Sequence, residues 1–197
     1  MGAGRGGAII AAMTGTRFAL FDSALGRCAL VWGPGGLRGA HLPASDESAT
    51  RNDLRRRFPD AEEDPAPPAW IEAAAAAIQR LLRGEPEPLD DIPLDWSGVG
   101  AFDRRVYEIT RAIRPGRART YGAVAAELGQ PGAAREVGQS LGRNPWPIVV
   151  PCHRVVGAGG RLVGFSAPGG TATKRRMLAI ENARTGDAPT LFDVAGT

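Results

Sequence analysis

The chain has 197 residues, 43% of them hydrophobic, with a formal net charge of +3, which is enough apolar material for one ordinary core or two small ones. No window approaches the run of about 18 apolar residues that a membrane-spanning helix needs, and the apolar patch near the start is too short and too poorly flanked for a secretory signal. Cysteine is sparse, Cys28 and Cys152 alone, which fits a reducing compartment, and the expected location is the cytoplasm.

Residues 1–15 are small and glycine-rich and read as a flexible leader. Arg17 to Phe21, Cys28 to Trp32 and Leu37 to His41 are short apolar or alternating runs separated by Asp22–Gly26 and Gly33–Gly36, the pattern of an antiparallel meander. Ser45 is placed to cap a helix running through Asp53 and Arg57, and Asp60 to Pro68 is an acidic, proline-rich loop. Trp70 to Arg83 carries Ile71, Ala74, Ile78 and Leu81 at helical spacing and stops at Gly84. Gly84 to Trp96 holds three prolines among alternating Leu and Ile, a linker with one edge strand, and the domain boundary is expected near Trp96 to Gly100.

Phe102, Val106, Ile109 and Ile113 line one face of the next helix, which Pro115 ends. Thr120 caps a helix reaching Leu128, with Gly129 as its stop, and a second helix is expected from Pro131 to Gly142. Two helices joined by a tight Gly-Gln-Pro-Gly turn read as a helix-turn-helix. In the second, Ala134, Val137 and Leu141 point inward, while Gly132, Ala133, Gly138 and Ser140 leave little bulk around Arg135, so the surface allows close approach to a nucleic-acid groove. Ile148 to Val150 is a β-branched run between Pro147 and Pro151 and reads as a short buried strand. After it come a turn at Gly157–Gly160, a short strand Arg161–Phe165, a glycine-rich loop Ser166–Gly170, and a last helix capped by Thr173 that carries Glu181 near its end.

Cys152 and His153 stand together just past that buried run. His153 and Arg154 beside a thiol are the kind of neighbours that lower its pKa and raise the thiolate fraction. Adjacency alone is weak evidence, because cysteine is among the most buried residue types and a small core cysteine beside a satisfied histidine is the commoner occurrence. The charge distribution adds an independent signal. Residues 1–97 hold 10 Arg and 14 acids, for −4, whereas residues 98–186 hold 14 Lys or Arg against 5 acids, for +9. A basic half carrying the cysteine suits a phosphate-binding surface, although a solvated basic face has the same composition.

The motifs YGAVAAELG (121–129), GAAREVG (132–138), GRNPWPIVVPCHR (142–154) and GFSAPGGTATKRRMLAIE (164–181) occur in one order over some eighty residues. With them the stretch from about Phe102 to Asn182 resembles the catalytic domain of the O6-alkylguanine-DNA alkyltransferases, single-turnover repair proteins also called methylated-DNA-protein-cysteine methyltransferases. The resemblance implies that Cys152 is the nucleophile that keeps the alkyl group, His153 the general base acting through a water, and Glu181 the group that orients the imidazole. It implies that Tyr121 protonates the departing guanine ring and that Asn144 braces the turn beside the cysteine. It implies a lesion pocket of Tyr121, Trp146, Pro147, Val155, Phe165 and Ser166. DNA contacts are expected from Thr120, Ala133, Ala134, Arg135, Gly138, Arg143 and Arg154, and Arg154 is also given an electrostatic or structural part. Arg135 fills the space vacated by a rotated nucleotide in a minor-groove complex, with a plain phosphate contact as its alternative role.

The implied partner is duplex DNA carrying O6-alkylguanine, with O4-alkylthymine as a second lesion, bound by a monomer that is cooperative on DNA in some readings, with no membrane and no cofactor. Some family members hold a structural zinc in the N-terminal region, but here Cys28 has only His41 as a soft partner, and no metal is expected. Two departures bear on the pocket: Phe165 stands where many relatives carry tyrosine, and the SerAlaProGlyGly loop is longer than in some of them. The expected architecture is α+β: a leader (1–15), an N-terminal supporting domain with a small antiparallel sheet and helices (16–97), a mainly helical C-terminal domain of winged-helix type (98–186), and a tail (187–197) whose Leu191-Phe192 packs back on the body or binds a partner protein. Three rival readings are a non-catalytic lesion binder that recruits other repair factors, a helix-turn-helix transcription regulator, and a cysteine hydrolase. The presence of Cys152, the absence of a dimerisation helix and the basic half, respectively, argue against them.

Overall fold

Strands β1 (Thr16–Ser23), β2 (Gly26–Gly33) and β3 (Gly36–His41) form the meander read from the sequence, in antiparallel register with Phe18 opposite Val31 and Ala29 opposite His41. The computed structural model describes residues 15–184; all but the last residue of the expected leader, and the whole 187–197 tail, lie outside the described residues. A fourth strand, β4 (Ala61–Glu63), runs parallel to β1, so the sheet has the order β3-β2-β1-β4 and is mixed rather than wholly antiparallel. Its three residues include two exposed acids and no apolar alternation, which is why it read as loop. Along β2 the side chains alternate between two faces. Leu30 and Trp32 enter the main core, while Ala29 and Val31 form a smaller cluster with Phe18 and Leu54.

Leu54 comes from helix α1 (Glu47–Arg57), which is capped by Asp46, one residue beyond the expected Ser45; the Asp46 carboxylate accepts from the Ala49 amide at 2.8 Å. Helix α2 (Ala69–Leu81) buries Ile71, Ala74, Ile78 and Leu81, the stripe its spacing predicted. The expected edge strand after it is reduced to one bridge, Leu37 to Leu94, held by Leu37 N–H to Pro93 O (2.8 Å) and Asp95 N–H to Leu37 O (2.9 Å). Pro93 and Leu94 come so close to Gly36, at φ 118°, that a Cβ there would lie 2.8 Å from the Pro93 carbonyl oxygen.

The rest of the chain is mainly helical: α3 (Ala101–Arg111), α4 (Tyr121–Glu127), α5 (Ala134–Gly142) and α6 (Gly170–Ile180), with a two-stranded parallel pair, β5 (Arg119–Thr120) and β6 (Val155–Val156). Helices α4 and α5 are the expected helix-turn-helix, with Thr120 Oγ1 accepting from Ala123 N–H at 3.0 Å as the cap. Three local expectations change. Arg161–Phe165 forms no strand; α6 starts at Gly170 from a left-handed Gly169, with Thr173 already inside it and donating to Pro168 O at 2.7 Å; and Ile148–Val150 is buried but turns sharply instead of extending, with Ile148 at φ 78°.

One large core cluster takes residues from both sides of position 97, among them Trp32, Ile78, Val106 and Trp146. The segment before the cysteine is fastened to the sheet, because Ala40 N–H donates to Pro145 O at 2.9 Å and Trp146 Nε1 donates to Leu37 O at 2.7 Å. Among the described residues no helix is long and apolar enough to cross a membrane.

Candidate active site

Cys152 opens a single 3-10 turn, Cys152–Arg154, immediately after Pro151. Proline preceding the cysteine ends the buried segment, and the turn leaves the thiol 7% exposed at the meeting of two cavities. The smaller, about 310 Å³, is walled by Tyr121, Gly138, Leu141, Gly142, Phe165 and Ser166. The larger, about 710 Å³, is an open cleft running from Cys152 past Asn144, Pro147 and residues 165–168 to β3 and the end of α1. Of the expected lesion-pocket residues, Tyr121, Pro147, Phe165 and Ser166 line these cavities. Trp146 and Val155 do not: Trp146 is buried against Trp96 and Tyr107, with ring centroids 5.1 and 5.9 Å away, and Val155 is wholly enclosed in β6.

Asn144 spans the turn with both ends of its amide. Nδ2 donates to Val150 O at 2.8 Å and Oδ1 accepts from Trp146 N–H at 2.9 Å, so one buried side chain satisfies two backbone groups of an irregular loop. His153 is fully buried, with Nε2 2.9 Å from Glu181 Oε1 and Nδ1 without a partner among the described residues. Burial holds its pKa below the ordinary value, against the pull of Glu181. Burial alone would raise the Glu181 carboxyl, but hydrogen bonds from His153 and Arg154, together with their charge, bring it down to about 2.

Arg154 is placed for the structural part and not for the expected DNA contact. It is buried, its Nε and Nη2 donate to the two Glu181 oxygens at 2.8 Å each, and Nη1 donates to Ile113 O at 2.5 Å. A guanidinium committed in this way offers DNA no free face, and it neutralises Glu181 rather than the thiol. Nor does His153, low in pKa and turned to Glu181, act as the thiol's cation.

That cation is Lys174, the only lysine in the sequence and a residue to which the motifs assign no role. It is fully buried in α6, with Nζ donating to Val155 O at 2.6 Å and 3.5 Å from the Tyr121 hydroxyl. Among the described residues it has no carboxylate partner. Burial pulls its pKa down and the Cys152 charge pushes it back up. Burial in turn pushes the Cys152 thiol up, opposed by the Asn144 amide, the Lys174 charge and the backbone amides of Cys152 and His153. Burial also raises the Tyr121 hydroxyl, as does the Cys152 charge, so the phenol stays protonated; it donates to Val163 O at 3.3 Å. A lone lysine amid 23 arginines was a signal, since an ammonium fits a narrow buried site that a guanidinium fork does not.

The expected DNA-contact residues lie on the α4–α5 side. Arg135 is exposed on α5, Ala133 and Ala134 are half-buried at its start, and Gly138 leaves a Cβ-sized space 3.7 Å from the Tyr121 ring. Thr120 is spent on its cap. Arg143 is exposed at the end of α5, with Nη2 3.0 and 3.2 Å from the Asp103 oxygens. No cluster of potential metal ligands occurs among the described residues.

Residues 101–183 match the family model of the 6-O-methylguanine DNA methyltransferase DNA-binding domain, which makes the helical half with its buried thiol a DNA-binding alkyltransferase module. A methylated-DNA–protein-cysteine methyltransferase of Mycolicibacterium paratuberculosis is 42% identical over 143 residues, covering 70% of this chain and 84% of that protein. One from Mycobacterium tuberculosis is 46% identical over 126 residues, covering 64% and 74%. The crystal structure of Mycobacterium tuberculosis O6-methylguanine methyltransferase matches with a TM-score of 0.68 at 32% identity, over 91% of this chain and 98% of that one. That of Mycobacterium tuberculosis OGT in complex with DNA matches with a TM-score of 0.67, over 84% and 92%. The chain belongs to the methylated-DNA–protein-cysteine methyltransferase family.

Proposed function

We propose that the protein removes alkyl groups from O6-alkylguanine in duplex DNA by transferring them irreversibly to Cys152, once per molecule. The observation that carries this reading is the setting of Cys152: a buried thiol opening onto a base-sized cavity, with Lys174 and Asn144 favouring its anion. His153 Nδ1 takes the thiol proton through a water, and the imidazolium is held by Glu181 at 2.9 Å. The thiolate attacks the alkyl carbon, the carbon–oxygen bond breaks toward the ring, and Tyr121 donates a proton to the leaving guanine. Lys174, 3.5 Å from the Tyr121 hydroxyl, stabilises the phenolate this leaves. The product is a thioether with no route back to thiol.

Reaching a base inside a duplex requires extruding it, at a cost of a few kcal/mol, and Arg135 on the small-residue surface of α5 fills the gap in the stack. In this reading residues 98–186 bind DNA and carry out the transfer, residues 16–97 support them, and the protein acts as a monomer in the cytoplasm. The test is intact-protein and peptide mass after mixing with a duplex containing one O6-methylguanine. One methyl on the peptide holding Cys152, guanine restored, and no reaction by Cys152→Ser is the expected result. Binding without a mass gain, the lesion persisting, would replace the transferase by a lesion-binding protein.

A further inference from the structure

The larger cleft beside Cys152 has a wall that the reaction does not use. It is formed by the last turn of α1, where Arg55, Arg56 and Arg57 follow one another and where Arg56 and Arg57 line the cleft. The opposite wall includes Gly142 and Arg143, which end and follow α5, so the cleft runs without a break from the DNA-facing helix, past the thiol, to α1. Among the described residues Asp53 is the only carboxylate lining it, and it is already engaged by Arg56 and lies 3.7 Å from His41 Nε2. Arg57 has no carboxylate partner among the described residues and stacks over the Phe58 ring at 5.6 Å. Residues 1–97 as a whole carry −4, so cations gathered at this one place do not follow from a basic surface. Favourable interaction with the helix dipole accounts for basic residues in a last turn, but Arg55 alone would supply it.

We infer that Arg56 and Arg57 bind backbone phosphates of the lesion-bearing strand, extending the DNA footprint from α5 across the cleft onto the first half of the chain. This rests on the base-extruding reading above. Rotating a nucleotide into the cavity at Cys152 draws its two flanking phosphates toward the cavity mouth, where a pair of guanidinium groups meets them.

The test measures the salt dependence of binding by the full chain carrying Cys152→Ser to a duplex with one O6-methylguanine. Each phosphate contact contributes about 0.9 to the slope of log K against log salt concentration. The paired substitution Arg56→Gln and Arg57→Gln is expected to lower the slope's magnitude by about 2. The paired Arg→Lys substitution at the same positions keeps it, and Arg55→Gln, on the same turn but off the cleft, leaves it unchanged. A paired Gln variant whose slope equals that of Arg55→Gln overturns the proposal. So does an equal loss of transfer from free O6-methylguanine base and from duplex when Cys152 is intact, because the arginines then act on the base and not on phosphate. Failure of the wild-type chain to accept methyl from the duplex would strike the transferase reading itself, and the salt slopes are independent of it.

Discussion

Lys174 and Glu181 carry opposite consequences for pH. An ammonium facing a buried thiol favours the thiolate, so Lys174→Met lets the Cys152 pKa climb further and moves the rate profile of transfer toward higher pH. At neutral pH we expect a loss of about tenfold in both methyl transfer and iodoacetamide alkylation. Methionine removes a buried charge that has no carboxylate partner but also the hydrogen bond to the Val155 carbonyl, so the two effects on stability oppose each other, and the displaced pH profile of iodoacetamide alkylation of the folded protein separates a change at the thiol from unfolding. Glu181 works the other way. Its folded pKa of about 2 lies below the ordinary 4.5, so the stability it contributes is complete above pH 4.5 and is lost as pH falls through 2. The difference amounts to about 3 kcal/mol. Urea midpoints followed from pH 7 downward should fall steeply in that window for the wild type and much less for Glu181→Gln, which starts lower because it strands the Arg154 guanidinium.

At the level of elements, the turn from Asn144 to Val150 and the helix α5 decide what the thiol meets. Asn144→Ala leaves the Trp146 amide without a partner in a buried loop and the Val150 carbonyl with only the Cys152 N–H at 2.8 Å, at a cost of about 2–3 kcal/mol in chemical denaturation. The loop tolerates a β-branched residue in the left-handed region at Ile148 because that side chain is 2% exposed within the core, and burial offsets the backbone strain. On α5 the space at Gly138 is calibrated by Tyr121. A Cβ there makes ordinary contact at 3.7 Å, so Gly138→Ala should transfer methyl at close to the wild-type rate. Gly138→Val drives a branched chain into the phenol ring and should slow single-turnover transfer at least tenfold. Equal rates for the two variants would show that the Tyr121 position does not govern the cavity.

Across the whole molecule, the sheet and the helical half share one apolar cluster, and the Trp146 Nε1 bond to Leu37 O crosses between them. Tryptophan fluorescence and far-ultraviolet circular dichroism should therefore report one coincident unfolding transition, with Trp146→Phe lowering the stability it reports by about 1 kcal/mol through the lost bond to the Leu37 carbonyl, which keeps only the Asp95 N–H. Helical spacing in 70–83 and 102–113, the glycine-punctuated meander, the helix-turn-helix and the concentration of basic charge after residue 97 were all legible along the chain, because periodicity and turn chemistry act over a few residues. The adjacency of Cys152 and His153 was legible too, and the family motifs supplied Glu181, Asn144 and Tyr121. Packing alone decided that Arg154 is spent on Glu181, that Lys174 is the buried cation whose charge acts on the thiol, that 148–150 turns rather than extends, and that the end of α1 lines a cleft shared with Cys152. Each of these depends on which distant segments exclude water together, and in a desolvated interior a single charge placed by such packing outweighs its neighbours in sequence.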